Sequence, residues 1–279
     1  MAIIGSGDYK YELVESWPDM PRYWRFGQAI GGAVNSSDEI YIFDRGRHPV
    51  TIWDVRGNFI SSWGEGMFRY PHGIHISPSD NVWLVDSHNH IVTQHTPDGE
   101  IIQTLGKKLV PKASFHGLPF NMPTGLAIAP NNEFFISDGY GGHRVHKFSP
   151  QGKLLTSWGN EGTGPGEFVN LHNIGVDKLS RVFICDRENN RIQIFDNQGN
   201  FIEQWTDLRA PSDLCFKDDV VYVSGEGGLQ ILSLDGTLVT QIGRNEGPPN
   251  SDIGGHGICI DSHGNLYCFS SNVIKLQRI

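Results

Sequence analysis

A pattern of about 40 residues recurs along the chain, and this period constrains the fold more than any other feature. Each copy has a turn with proline or glycine, a short apolar strand, a polar turn and a second apolar strand that usually ends in aspartate. A loop, a third strand, a glycine-containing turn and a fourth strand follow. The second copy is the clearest, with a turn and first strand at Tyr70 to Ile74 and a second strand at Val82 to Asp86. Four-stranded repeats of this length are typical of β-propeller blades.

Six copies can be aligned, so the sequence predicts an all-β, six-bladed β-propeller that occupies residues 1–279 as a single domain. The sixth copy lacks a fourth strand after its third strand at Val273 to Leu276. The segment 9–17, which precedes the first copy, alternates polar and apolar residues. We expect this segment to pair as the outer strand of the last blade, because that pairing closes the ring and covers two exposed strand edges.

Composition narrows the range of partners. The net charge of −9 and the absence of a Lys/Arg run count against nucleic-acid binding. No apolar run approaches the roughly 18 residues of a membrane helix, and the first residues lack a signal-peptide pattern. Because the cysteines form no CxxC motif or disulfide framework, we expect mainly buried free thiols and a cytoplasmic location; they are Cys185, Cys215, Cys259 and Cys268.

Histidine occupies one equivalent position of the repeat in alternate copies. The interval from this histidine to the end of the second strand is the same in all three copies. The histidines are His72, His172 and His256, and the strand ends are Asp86, Asp186 and Ser270, where serine replaces the aspartate. The same position in the other copies is occupied by Ile30, Thr124 and Ser212. Alternatively, the shared spacing arose by chance, and the three histidines are ordinary polar residues that line the channel.

The equivalent position begins the innermost strand of each blade, and innermost strands line the channel of a propeller. Alternate blades of six are about 120° apart, so the imidazoles of His72, His172 and His256 should converge on the axis. Three protein ligands leave a fourth position for water or substrate, as in catalytic zinc sites. We therefore predict that these histidines bind Zn²⁺ or another divalent cation.

Three further residues are candidates for chemistry. Arg45, Tyr140 and Arg187 follow the second strands of their blades and should surround the mouth of the channel, on the same face as the histidines. A tyrosine can transfer a proton, and an arginine can hold a carboxylate or a developing oxyanion. Arg45 and Tyr140 depart from the repeat pattern. Arg187 belongs to that pattern, as Arg191 does, so a structural role stays open for it.

The copies resemble NHL repeats, most clearly in the DRENNRIQIF stretch at 186–195. The segments YPHGI, NLHNI, ISDGYGGHRV and GPGEF resemble the lyase domain of peptidylglycine α-amidating enzymes. That resemblance implies cleavage of a peptidyl-α-hydroxyglycine into a peptide amide and glyoxylate. It also implies zinc ligands, a catalytic tyrosine and two substrate-binding arginines, which fall on His72, His172, His256, Tyr140, Arg45 and Arg187.

Several positions depart from that family, among them Gly254 and Gly255, where the family has Met-Pro before the third histidine. Gly257 stands where the family has an aspartate that serves a buried calcium ion, although the carbonyl positions of that site would fall at Gly32 and Ile74. This departure counts against a structural calcium. Gly141 stands where the family has a disulfide cysteine, which counts against an extracellular setting and a peptide substrate.

The sequence therefore favours a zinc-dependent lyase that acts on a carbinolamide or a similar small α-hydroxy compound, which is expected to be anionic. A metal-dependent hydrolase such as a lactonase is one alternative, because zinc can also activate water. A non-catalytic NHL scaffold is the other.

Overall fold

The computed structural model describes residues 3–113, 119–243 and 253–279, which contain 27 β-strands and two short 3₁₀ turns. The strands form six sheets of four or five strands and one additional two-stranded sheet. These six sheets are the blades of a β-propeller, so the predicted all-β, six-bladed fold is confirmed. Within these ranges no helix is long and apolar enough to cross a membrane.

The strands follow the predicted repeat closely. The first two are β1 (Ile3–Ser6) and β2 (Tyr9–Val14). The first blade has β3 (Ala29–Val34), β4 (Ile40–Asp44), β5 (Val50–Trp53) and β6 (Phe59–Trp63). The second has β7 (Pro71–Ile76), β8 (Val82–Asp86), β9 (Ile91–His95) and β10 (Ile101–Gly106), with a 3₁₀ turn at Ser87–Asn89. The third has β11 (Gly125–Ile128), β12 (Phe134–Asp138), β13 (Arg144–Phe148) and β14 (Leu154–Trp158).

A short parallel pair follows, formed by β15 (Asn160–Glu161) and β16 (Glu167–Phe168). The fourth blade has β17 (Leu171–Val176), β18 (Val182–Asp186), β19 (Arg191–Phe195) and β20 (Phe201–Trp205), with a 3₁₀ turn at Arg187–Asn189. The fifth has β21 (Pro211–Lys217), β22 (Val220–Gly225), β23 (Gly228–Ser233) and β24 (Leu238–Gly243). The sixth has β25 (Gly257–Ile260), β26 (Leu266–Phe269) and β27 (Val273–Arg278).

The residues fall into two compact units, Phe68–Ser212 and the combination of Met1–Met67 with Asp213–Ile279. In the first unit, a core of buried side chains packs the third blade against the fourth, as Phe135 and Val145 do with Leu171 and Ile184. In the other unit, the inner strands β25 and β3 lie side by side, as neighbouring blades do. Three of the cysteines are buried and all four are free thiols, as expected.

The N-terminal strand β2 completes the last blade, as the sequence predicted. It pairs antiparallel with β27, where Leu13 lies opposite Leu276. The observed strand ends at Val14, because the chain turns at Ser16, where φ is 60°, and Trp17 packs on Tyr267 with ring centroids 4.8 Å apart. Outside β2 the sheet has a fifth strand, β1, which the sequence analysis did not predict.

The aspartates that end the second strands hold the start of each blade in place. Each accepts hydrogen bonds from backbone N–H groups that lie 16 or 17 residues earlier, just before the first strand. The donors are Gly27 and Gln28 for Asp44, Arg69 and Tyr70 for Asp86, Asn121 for Asp138, and Val169 for Asp186. The repeat's most regular polar residue thus fixes the loop that leads into the candidate site.

Candidate metal centre and catalytic residues

Two of the three histidines, His72 and His172, lie at a β-bulge. In the second blade Pro71 pairs with Asp86 and Gly73 with Val85, so His72 is the extra residue on its strand. The fourth blade has the same irregularity at His172, and the first blade has it at Ile30. A bulge bends the strand and re-aims the side chain of the extra residue. The sequence located the position correctly but gave no sign of the bulge.

All three histidines are oriented by the same hydrogen bond. Nδ1 lies 2.7 Å from a backbone carbonyl oxygen in each case, and the acceptors for His72, His172 and His256 are Thr124, Ser212 and Ile30. These acceptors are the residues at the equivalent position of the adjacent repeat. Because a carbonyl only accepts, Nδ1 carries the proton in every ring and Nε2 presents its lone pair. Metal-binding histidines typically have this arrangement.

The three rings together form a group of potential metal ligands. Each offers one ring nitrogen, and the nitrogens of His72, His172 and His256 lie within 4.8 Å of one another. His72 and His172 are buried and His256 is half-buried. An all-nitrogen donor set suits Zn²⁺ and similar transition metals, whereas calcium prefers oxygen ligands. The residues present therefore fit the predicted divalent metal.

Tyr140 lies against His72. Its hydroxyl is 2.7 Å from His72 Nε2 and donates to that nitrogen, because the ring proton is on Nδ1. The Tyr140 ring lies edge-on to His72, at 4.9 Å between centroids, and 6.1 Å from His172. The backbone N–H of Tyr140 donates to Met122, two residues before the equivalent position of its own blade. The phenol thus lies beside the nitrogen of His72 that does not carry the ring proton.

The two predicted arginines are each held beside the start of their own blade. The Arg45 N–H donates to the Gln28 carbonyl, and its Nη1 donates to Gln28 Oε1 at 2.8 Å. The Arg187 N–H donates to Asn170, and the guanidinium binds the adjacent Glu188 carboxylate at 2.7 Å, which lowers the pKa of Glu188. Each backbone bond thus places the loop beside the entry to the inner strand of its own blade. That the two arginines surround the mouth of the channel stays a prediction.

Arg191 has the structural role that the sequence suggested. Its guanidinium binds the buried Asp186 carboxylate at 2.8 Å and donates to backbone carbonyls of Thr163, Gly164 and Glu167. It therefore ties the loop before the fourth blade to that blade. Arg187, in the turn that precedes it, makes none of these contacts within the described residues.

Two glycines leave the space that the carbonyl acceptors occupy. A Cβ on Gly73 would lie 2.6 Å from the Thr124 oxygen, and a Cβ on Gly257 would lie 2.6 Å from the Ile30 oxygen. These are the oxygens to which His72 and His256 donate. Gly257, a departure from the lyase family at the sequence level, is therefore required here by the close approach of a backbone oxygen.

The sequence and the fold resemble those of known proteins. Residues 127–204 match a family model described as "6-bladed beta-propeller", and residues 68–94 match that of the NHL repeat. The rat peptidylglycine alpha-amidating monooxygenase is 32% identical over 227 residues, which are 68% of this chain and 22% of the rat protein. The match to human NHL repeat-containing protein 3 is 30% identical and covers 76% of this chain and 65% of the human one.

A fruit-fly relative bears the name of the lyase itself. Drosophila melanogaster peptidyl-alpha-hydroxyglycine alpha-amidating lyase 1 is 35% identical over 156 residues, which are 51% of this chain and 28% of that protein. The chain therefore spans less than two thirds of the length of each of these three relatives.

Two solved structures share the fold. A streptogramin B lyase superposes with a TM-score of 0.68, covering 98% of this chain and 99% of that one at 13% identity. A gluconolactonase from Xanthomonas campestris superposes with a TM-score of 0.70, covering 96% and 89% at 14% identity. At these identities the likeness concerns the fold alone.

The class is thus a six-bladed β-propeller that contains an NHL repeat. Within that class, the chain resembles the peptidyl-α-hydroxyglycine α-amidating lyases, and enzymes are prominent among its relatives.

Proposed function

We propose that the protein is a divalent-metal-dependent lyase that cleaves a carbinolamide or a similar small α-hydroxy compound. The observation that carries this proposal is the identical Nδ1-to-carbonyl bond of His72, His172 and His256, with the Tyr140 hydroxyl 2.7 Å from His72 Nε2. Such a set combines a metal site with a proton-transfer group. The names of the amidating relatives support the same reaction class.

The side chains have distinct roles in this proposal. Zinc or a similar ion held by the histidines would polarise an oxygen of the substrate. Cleavage of a carbinolamide removes the hydroxyl proton, breaks the carbon–nitrogen bond and returns a proton to the amide nitrogen, which leaves an amide and an aldehyde. Tyr140 carries that proton in our proposal. Arg45 orients the substrate anion by a charge-assisted hydrogen bond.

Arg187 offers the sharper test of the two arginines. Its guanidinium is bound to Glu188, so a substrate carboxylate would compete with that ion pair. If Arg187 binds substrate, Arg187→Gln raises KM and leaves metal content unchanged. An unchanged KM would show that Arg187 does not bind the substrate and only forms the ion pair with Glu188.

Tyr140→Phe tests the mechanism directly. The substitution removes the hydroxyl but leaves all three Nδ1 bonds, so we expect turnover to fall by about 100-fold or more while metal content is retained. Glyoxylate release from an N-acyl-α-hydroxyglycine measures turnover, and elemental analysis measures the metal. Tyr70→Phe is the matched control, because Tyr70 stacks on His88. Normal turnover by the Tyr140→Phe protein would rule out the proposed proton transfer by Tyr140.

A metal-dependent hydrolase is the second candidate. A three-nitrogen donor set leaves a coordination position for water, and a gluconolactonase shares the fold. Acid release from a lactone, measured beside glyoxylate release, separates the two reactions. A protein that contains no metal after expression in zinc-supplemented medium would favour the scaffold alternative over both.

We also propose that the protein acts in the cytoplasm on a small anionic molecule rather than on nucleic acid or membrane. The free thiols of Cys185, Cys259 and Cys268 are buried in strands, which suits a reducing compartment. The acidic net charge disfavours phosphate backbones.

A further inference from the structure

A basic, aromatic cavity of about 440 Å³ lies in the first blade, apart from the residues assigned above. It is formed by the loop before β3 and the loop between β4 and β5. The lining is contributed by 22–27 and 46–48. Its volume falls in the range of about 300–1,000 Å³ that is typical of small-molecule sites.

The cavity is cationic in an acidic protein. Its lining includes Arg22, Arg25, Arg47 and His48 and no aspartate or glutamate, whereas the whole chain carries a net charge of −9. Among the described residues neither Arg25 nor Arg47 makes a hydrogen bond or a salt bridge, although, beside the hydrogen bond from His48, the charge of Arg47 helps to lower the pKa of Glu65. Both guanidinium groups therefore keep their donors for a ligand. Arginine donors in pairs match the geometry of a carboxylate.

The aromatic wall of the cavity is rigid. Trp24 stacks on His48 at 3.6 Å between centroids with the rings 9° apart, and Phe59 packs edge-on against Trp24 at 5.2 Å. His48 Nδ1 donates to the Glu65 carboxylate at 3.0 Å, which holds the imidazole in place. A flat apolar surface whose neighbours fix its orientation is ready to receive a planar group.

The two loops are also locked to each other. The Asp44 carboxylate accepts from the backbone N–H groups of Gly27, Gln28 and Gly46. Gly27 and Gly46 pack so closely that a Cβ on Gly27 would lie 2.6 Å from the Gly46 Cα. The cavity therefore belongs to the folded blade and does not depend on a loose surface loop.

Tyr23 adds an independent sign of a binding role. It has a φ of 70°, a left-handed conformation that is unfavourable for an aromatic residue, and its side chain is 88% exposed. Arg22 lies over its ring at 4.9 Å. The left-handed backbone at Tyr23 costs free energy, and residues held in such conformations concentrate at binding sites.

We propose that this cavity is a binding site for a small aromatic carboxylate, separate from the metal centre. The planar body of the ligand packs against Trp24, and its carboxylate binds Arg25 and Arg47. The site requires both parts of the ligand, because a cation cluster alone would bind any anion weakly.

Calorimetric titration with 2-naphthoate tests this proposal, with 2-naphthamide as the uncharged match. We expect saturable one-to-one binding of the naphthoate and at least about tenfold weaker binding of the amide. Arg47→Gln and Arg25→Gln should each weaken the naphthoate by about tenfold, and Trp24→Ala by at least as much. Arg56→Gln, at an exposed arginine of the same blade outside the cavity, should bind like the unmodified protein.

The same titration with the His172→Ala protein separates this site from the metal centre. Naphthoate binding that persists there, and that persists after treatment with a chelator, supports the cavity whether or not the protein is a lyase. Binding that disappears with the metal places the ligand on the metal and overturns the proposal. A lack of saturable binding, equal affinities for naphthoate and naphthamide, or normal binding by both Arg47→Gln and Trp24→Ala also overturns it.

Discussion

The even-numbered and odd-numbered blades supply different chemical groups at the equivalent position beside their inner strands. The second, fourth and sixth blades supply the imidazoles of His72, His172 and His256. The third, fifth and first blades supply the backbone carbonyls that hold those rings. One set of blades must therefore keep a particular side chain, whereas the other need only keep its backbone in place.

This difference explains the residues found at the odd positions. Ile30 is apolar whereas Thr124 and Ser212 carry hydroxyl groups, yet each carbonyl oxygen lies 2.7 Å from a histidine Nδ1. A backbone acceptor tolerates almost any side chain, so this position can vary without loss of the hydrogen bond. The alternation of histidine with unlike residues is thus what a site divided between side chains and backbone produces.

The largest expected effect comes from the fourth blade. His172→Ala removes a ligand, so we expect metal affinity to fall by more than the roughly 100-fold that loss of an outer partner can cost. Ser212→Ala, at the residue whose carbonyl holds His172, should retain a full equivalent of metal, because its backbone oxygen remains. Elemental analysis after dialysis measures both. Equal metal loss in the two proteins would contradict the assignment of side-chain ligands to the even-numbered blades and backbone acceptors to the odd-numbered ones.

A second prediction compares how much two arginines of the fourth blade contribute to stability. Arg191→Ala leaves the buried Asp186 carboxylate without its cation, which we expect to cost about 3–5 kcal/mol in the free energy of unfolding. Arg187→Ala removes only a partly exposed pair with Glu188 and should cost less than about 1 kcal/mol. Urea denaturation of both proteins measures the difference. A larger loss for Arg187 would contradict the structural assignment of Arg191.

The third prediction tests the carbonyl acceptors. Gly73→Ala forces a methyl group against the Thr124 oxygen, which is the hydrogen-bond acceptor of His72. Because this displaces the His72 ring, we expect metal affinity to fall by about 10- to 100-fold. Asn173→Ala is the matched change in the fourth blade, where the residue after the histidine already carries a Cβ. It should alter metal affinity much less. Competition with a chromogenic chelator gives both affinities, and similar losses would mean that the glycine is not specifically required.

The smallest effect concerns the body of the third blade. Lys147 is buried and binds Glu133 at 2.8 Å, and this hydrogen bond holds the pKa of Glu133 below its ordinary value of 4.5. A lowered folded-state pKa contributes stability above the unfolded value, and that contribution is lost as the pH falls through the folded value. Glu133→Gln should therefore cost about 1 kcal/mol at neutral pH.

The pH dependence provides the check on that last prediction. Thermal unfolding of the Glu133→Gln and unmodified proteins should differ at pH 7 and converge as the pH falls through the lowered folded-state pKa of Glu133, below which the carboxyl is protonated in both states. Metal content at pH 7 should be the same in both. A difference that persists in acid would assign the effect to packing and not to charge.

Much of the site was accessible from sequence because a repeat supplies its own alignment. The constant interval to the end of the second strand identified His72, His172 and His256 without any coordinates. The break in the pattern at Tyr140 likewise marked the residue whose hydroxyl lies beside His72. Strand β1 was missed, because Ile3–Ser6 lies outside the repeat and its short sequence carries no pattern of its own.

Other features had no sequence signal at all. The Glu188 partner of Arg187 and the cavity beside Trp24 depend on which side chains the loops bring into contact. Glycine is required at position 257 because the Ile30 oxygen lies 2.6 Å from where a Cβ would stand. Contacts between residues near opposite ends of the chain leave no periodic trace in a single sequence.

The sequence by itself determined the number of blades, the strand that completes the last one and the ring position that carries histidine, because all three follow from periodicity. Tertiary structure alone decided how those histidines are used. The bulges that re-aim His72 and His172, the carbonyl that fixes the tautomer of each ring and the phenol at the Nε2 of His72 are set by distances between separate strands. Periodicity along the chain specifies which residues are equivalent, whereas only packing across it specifies what each one touches.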